Sequence, residues 1–180
     1  MVLWIPLFKV MITPVSALLW FLLIYPEKIQ ELIKKSHEAK QFAFCPYSNF
    51  RVGAALLADD GTIIQGCNVE NASYTLGICA ERCAIFKAVS MGYRNFTAIA
   101  ISTDVAELYS APCGACRQIM YEFGGDMEVY MTRPDDSYMK KMPLDILPHA
   151  FGPKELNMKK SVIVTNNNGD ITLTDSTESS

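Results

Sequence analysis

Cys79-Ala80-Glu81 and, 34 residues after Cys79, Pro112-Cys113-Gly114-Ala115-Cys116 set three thiols and one carboxylate where a single metal ion can gather them. Three thiolates fill three corners of a tetrahedral zinc site and leave the fourth to water, which separates a catalytic zinc from a closed structural one. A carboxylate beside that open corner is the right group to take and return protons. A metal ligand two residues before a Glu, with Pro-Cys-x-x-Cys downstream, is the arrangement that adds water to an amino-substituted ring and expels ammonia.

The elements around these residues suit the task. Residues 79–91 read as a helix with an apolar stripe of Ala80, Ala84, Ile85, Ala88 and Val89. Residues 113–123 read as a second, with Ala115, Ile119, Met120 and Phe123 inward. Each cysteine motif then opens a helix, where unpaired N–H groups and the positive dipole end favour thiolates. Three thiolates give zinc a net charge of about −1, which weakens its hold on the acidity of water. Arg82 stands where it can hydrogen-bond the thiolates and restore part of that acidity.

The competing structural reading is a closed zinc knuckle with Glu81 a solvated acid at a helix start. Cys83, one turn beyond Cys79, is the residue that could close it as a fourth thiolate. Cys83 reads better as a small buried hydrophobe than as a fourth ligand. The open site is the stronger reading.

Four stretches carry a family resemblance: Cys45-Pro-Tyr-Ser-Asn-Phe-Arg-Val-Gly-Ala-Ala-Leu56, Gly66-Cys-Asn-Val-Glu-Asn-Ala72, Cys79-Ala-Glu-Arg82 and Pro112-Cys-Gly-Ala-Cys-Arg-Gln118. Together they resemble the small cytidine deaminases of pyrimidine salvage, over residues 27–156. The resemblance implies an α/β domain of three layers, α/β/α, with a mixed five-stranded sheet. It also implies a homotetramer whose active sites are completed by neighbouring subunits. Residue by residue, it makes Cys79, Cys113 and Cys116 the ligands of one zinc per subunit and Glu81 the proton shuttle. Asn68 and Glu70 become the pair on the ribose 3′-hydroxyl and Phe50 the ring lining the nucleoside pocket. Backbone groups near Ala80 read the base, and Tyr74 and Phe151 come from a neighbouring subunit.

The residues themselves speak unevenly for these roles. An amide and a carboxylate at i and i+2 of an extended segment face one side and can satisfy both the donor and the acceptor of a hydroxyl. Glu70 in an otherwise apolar run needs a reason to be there. Phe50 could equally be a core aromatic, and lone loop aromatics such as Tyr74 and Phe151 are more often packing. Arg51 stands where the family often has a proline or a small polar residue.

Composition narrows the class. The 180 residues suit one domain with a full core, 50% of them hydrophobic. Cys45, Cys67 and Cys83 are an odd remainder, better read as reduced thiols of the cytosol than as a disulfide framework. A net charge of −3 argues against a nucleic-acid partner and for a free nucleoside as substrate. The alternatives are an antibiotic-inactivating deaminase, a nucleic-acid editor and a non-enzymatic zinc scaffold.

Three segments divide the chain: a hydrophobic extension (1–25), the deaminase domain (26–160) and a polar tail (161–180). Within the domain, residues 27–42 read as an amphipathic helix with Ile29, Leu32 and Ile33 inward and Pro26 in its first turn. Strands are expected at 52–58, 62–67, 98–102 and 128–132, with a turn at Asp59-Asp60-Gly61. The tail alternates over 161–174 around Asn166-Asn167-Asn168-Gly169 as a hairpin, and its end (175–180) reads as disordered. The extension carries one charge, Lys9, and its charge-free run of sixteen residues holds Pro14. That run is short of the ~20 residues of a membrane span. It is either a membrane signal or a mis-joined upstream exon. If it anchors the chain, Lys28, Lys34 and Lys35 keep the catalytic domain in the cytosol. A glycan on the Asn71-Ala72-Ser73 sequon would obstruct the substrate loop, which also argues against the secretory lumen.

Overall fold

The computed structural model describes residues 25–159, 161–165 and 171–175. Residues 1–24, 160, 166–170 and 176–180 lie outside the described residues, and with them the hydrophobic extension, the expected turn at Asn166-Asn167-Asn168-Gly169 and all of the end expected to be disordered except Asp175, which is in a strand.

Helix α1, Tyr25–Lys40, buries Ile29, Leu32, Ile33, Ser36, Ala39 and Lys40, the three-and-four spacing of an amphipathic helix. Burying side chains such as Leu32 and Ile33 fully is worth about 1.5–3 kcal/mol each. The helix stops two residues short of the expected end, where Gln41 and Phe42 tighten into i→i−3 bonds to Glu38 and Ala39.

Five strands form one mixed sheet. They are β1 (Val52–Ala58), β2 (Ile63–Cys67), β3 (Phe96–Thr103), β4 (Glu128–Thr132) and β5 (Tyr138–Lys141), in the order β2-β1-β3-β4-β5. Only β3 and β4 run parallel, and the other neighbours are antiparallel. Alternation along the central strands divides two cores. Ala55, Leu57, Ala98, Ala100 and Tyr130 face α1. Ala54, Leu56, Ile99, Ile101, Val129 and Met131 face helices α2 (Ala80–Ser90) and α3 (Gly114–Glu122) on the other side. The three layers and the mixed five-stranded sheet expected from the resemblance are present.

Two glycines set the spacing of these layers. A Cβ on Gly53 would lie 2.1 Å from the Ser36 carbonyl oxygen, so α1 rests directly on β1. A Cβ on Gly66 would meet the backbone of α2 just as closely. No other residue type permits either approach.

Two differences from the expected elements have physical causes. Strand β3 starts at Phe96 rather than 98 because the pairing shifts from Leu57↔Ala98 to Ala58↔Phe96, a bulge that breaks the period of two. Strand β5 is a four-residue edge strand exposed along its whole length, with no apolar alternation to announce it.

Short helices α4 (Pro143–Ile146) and α5 (Pro153–Leu156) follow β5. Beyond them β6 (Ser161–Thr165) and β7 (Ile171–Asp175) pair antiparallel as the hairpin the alternation predicts. Among the described residues no helix is long and apolar enough to cross a membrane.

Candidate active site

Cys79 and Cys113 are the N-cap residues of α2 and α3, both with extended backbone and neither using its side chain to cap the helix. Their thiols are therefore free to turn towards each other. Cys79 Sγ and Cys113 Sγ are 3.7 Å apart, and Cys113 Sγ and Cys116 Sγ 3.5 Å. All three lie within 4.8 Å of one another. A tetrahedral zinc with Zn–S bonds of ~2.3 Å holds its sulfurs ~3.8 Å apart, so the three thiols fit that ion.

Cys116, fully buried, takes the inward place on α3. Ala115, expected inward, is exposed, while Met120 is buried and Ile119 and Phe123 are partly so. Cys116 rather than Ala115 thus supplies the buried residue of the first turn of α3, four residues before Met120. On α2, Ala80, Ala84, Ile85 and Ala88 are buried as expected, and Val89 partly.

Cys83 does not join the cluster. It lines a separate cleft with Cys67, Gln65 and Lys87 on the far side of α2. The fourth corner of the metal site is not closed by a fourth thiol.

Glu81 is 3% exposed, lies one residue into α2 and lines the same cleft as Cys79 and Cys113. Burial pushes its carboxyl up to about 7, and the neighbouring Cys79 adds to the rise. A group there can both take and return a proton near neutral pH. Hydrogen bonds with Cys116, then Arg82 and Cys113, pull the Cys79 thiol down. Its bond to Cys79, followed by burial, pushes Cys116 up. Arg82 Nη2 donates to Cys79 Sγ at 3.5 Å, and its buried Nε has no hydrogen-bond partner in the protein. The guanidinium thus faces the thiols with donor capacity to spare.

The cleft above this cluster has a volume of about 590 Å³, the size of a small-molecule site. Phe50, Asn68, Glu70 and Tyr74 all line it, so four of the sequence-predicted binding residues meet in one place. Their engagements are informative. Asn68 Oδ1 accepts from the Val52 N–H at 2.8 Å, and its Nδ2 donates to the Phe50 carbonyl at 2.8 Å. Glu70 accepts from the Tyr47 and Ser48 N–H groups at 3.0 and 3.3 Å and from the Ser48 hydroxyl. Both side chains thus shape the loop before β1 as well as facing the cleft.

Ala80 is fully buried and does not line the cleft with its side chain, which leaves only its backbone for a ligand. Phe151 is 62% exposed and stands outside this cleft, its carbonyl held by Gln118. Tyr74 is 80% exposed at the rim. Sequence reasoning missed Ser48, Thr103 and Ser110, which also line the cleft, the last two sharing a hydrogen bond of 3.0 Å. Hydroxyl residues are common in loops, and no spacing marked these out.

Residues 26–132 match the family model described as the cytidine and deoxycytidylate deaminase zinc-binding region. A probable cytidine deaminase of Dictyostelium discoideum is 47% identical over 133 residues, 74% of this chain and 90% of that protein. A cytidine deaminase of Sporosarcina psychrophila is 48% identical over 130 residues, 72% of this chain and 95% of that one. Among solved structures, the cytidine deaminase of Burkholderia pseudomallei superposes with a TM-score of 0.65 at 48% identity, covering 67% of this chain and 97% of that one.

Proposed function

This chain belongs to the cytidine and deoxycytidylate deaminase zinc-binding family, and from that premise we propose that it hydrolyses free cytidine and 2′-deoxycytidine to uridine and 2′-deoxyuridine, in pyrimidine salvage. The observation that carries the reading is Glu81, buried beside a three-thiol cluster at the floor of a cleft of about 590 Å³. A buried acid is expensive unless it has work to do there.

A zinc ion held by Cys79, Cys113 and Cys116 would supply the Lewis acidity that makes a water molecule nucleophilic near neutral pH. Glu81 takes a proton from that water and passes it to ring nitrogen N3 as C4 is attacked. It then carries the second proton to the departing amine, so that one water is consumed and one ammonia released. Arg82 offsets thiolate charge by its bond to Cys79. The N–H of Ala80, free at the start of α2, is the backbone group nearest in sequence to read the base.

Phe50 offers its ring to the pyrimidine, while Asn68 and Glu70, which line the same cleft, face the sugar. The free-nucleoside substrate is supported by the net charge of −3, which gives a polyanion no footing. A homotetramer with shared sites is supported by the exposure of Tyr74 (80%) and Phe151 (62%), large rings that a neighbouring subunit would cover. Residues 26–160 would form the deaminase domain, with the tail hairpin an appendage. Six free cysteines support a reducing, cytosolic setting. Membrane contact would arise only through residues 1–25.

The test is turnover. The full chain, loaded with zinc, is incubated with cytidine and with a cytosine-containing oligonucleotide, and loss of the cytosine absorbance is followed. Conversion of the nucleoside alone is expected. Conversion of the oligonucleotide alone, or of neither, contradicts the reading.

A further inference from the structure

The loop that forms one wall of the cleft is fastened from two sides. Phe50 and Val52 face the cleft, and the side chain between them, Arg51, does not line it. On the cleft side the Asn68 amide holds the Phe50 carbonyl and the Val52 N–H, each at 2.8 Å. Away from it, Arg51 reaches across 53 residues of sequence to Asp104, just beyond β3. Its Nε donates to Oδ2 at 2.8 Å and its Nη2 to Oδ1 at 3.1 Å. This two-pronged geometry fixes orientation as well as distance, which a lysine in that place cannot do.

Asp104 is itself anchored. Lys40, nearly buried at the end of α1, lies 2.9 Å from its Oδ1 and donates to the Thr103 carbonyl at 3.0 Å. The chain of contact therefore runs from α1 and the end of β3, through Asp104 and Arg51, to the backbone that carries Phe50. Just before Phe50, Asn49 adopts the left-handed region (φ 55°), and the Phe50 N–H bonds the Ser48 hydroxyl at 3.0 Å. Sheet pairing begins only at Val52, opposite Thr103, so Phe50 and Arg51 lie ahead of the ladder that would fix their rotation. The two fastenings, on opposite sides of a three-residue stretch, do so instead.

We propose that Arg51 is a positioning residue, whose forked bond to Asp104 sets the rotation of the 50–52 segment and so holds the Phe50 ring against the nucleoside. The proposal rests on the proposed function for its ligand, but the fastening itself can be read without one. Both partners are about half exposed, 49% and 45%. Exposed ion pairs contribute little to global stability. The effect belongs in substrate binding, with the melting temperature almost unchanged. Arg51 points both Nε and Nη2 at Asp104, away from the cleft.

The experiment compares wild type, R51A, R51K, F50A and the F50A/R51A double variant, all zinc-loaded. KM and kcat are measured for cytidine and its 5′-monophosphate, and amide exchange is followed in the peptide spanning residues 46–54. R51A is expected to raise KM for cytidine about threefold to fivefold with kcat held, fivefold being about 1 kcal/mol. R51K is expected to fall between, and R51A to add nothing once Phe50 is gone. Exchange in the 46–54 peptide should quicken in R51A while peptides of α2 stay protected. An unchanged KM, a full effect of R51A in the F50A background, or a loss confined to the monophosphate overturns the proposal. If wild type fails to turn over cytidine, the functional reading fails, and the exchange comparison alone decides the role of Arg51.

Discussion

A methyl group on Gly66 would sit 2.4 Å from the backbone nitrogen of Ala84 and 2.6 Å from the carbonyl oxygen of Ala80. Strand β2 and the helix bearing Cys79, Glu81 and Arg82 thus touch backbone to backbone. The position of α2 is set by the absence of a side chain. Gly66→Ala must push α2 outward, and overpacking of this kind costs about 1–3 kcal/mol. Urea unfolding should show that loss. Gly114→Ala, where an added Cβ meets nothing within 4 Å, should be neutral or slightly stabilising. Equal stability of the two variants would mean that α2 does not rest on β2 as described.

Metal content separates the four nearby thiols. Cys79, Cys113 and Cys116 converge within 4.8 Å, whereas Cys83 lines another cleft. Serine at any of the three should cut zinc retained through dialysis, and Cys83→Ser should keep one zinc per chain. Loss of zinc from the Cys83 variant would indicate a closed four-thiolate site.

The pH response of the substrate loop follows from Glu70. Its bond from the Ser48 hydroxyl, followed by the Tyr47 and Ser48 N–H groups, holds the carboxyl below its usual value of 4.5. A depressed folded-state pKa stabilises the fold above the unfolded value and loses that contribution as pH falls through the folded one. The stability gap between wild type and Glu70→Gln should therefore be constant above about pH 5 and shrink below pH 4.5. Urea midpoints taken across that range measure it. A gap that widens on acidification would contradict the bonding described.

Shared active sites predict complementation. Phe151 stands outside the cleft of its own subunit. If it serves a neighbour, Phe151→Ala should raise KM. Mixing that variant with inactive Glu81→Gln subunits, then unfolding and refolding them together, should restore sites that pair an intact Glu81 with an intact Phe151. A mixture no more active than its parts would place Phe151 outside the site.

The cluster of three thiols and Glu81 was legible because its logic is local: a thiol at each helix start and an acid two residues after the first. Cys83, four residues after Cys79, would share its face within a helix, and parts from it because Cys79 is an N-cap in extended backbone. Strands β1 and β4 were equally plain, being apolar runs bounded by turns. What escaped depends on partners distant in sequence. Nothing around Arg51 announces Asp104, 53 residues on. The spacing of Asn68 and Glu70 puts them on one side but cannot reveal that Asn68 spends both ends of its amide on the Phe50–Val52 backbone. Strand β3 begins two residues earlier than expected, across a bulge that breaks its period, and β5 carries no pattern because all four of its residues face solvent.

Glu81 is the proposed carrier of the protons of the reaction. The direct measurement is cytidine turnover and zinc content of Glu81→Gln beside wild type. The amide keeps the shape and leaves the three thiols untouched. Removing a proton carrier costs about 100-fold to 10,000-fold in rate. The account predicts a full complement of zinc with turnover reduced by at least about 100-fold. Turnover near the wild-type rate in a zinc-replete variant would contradict it.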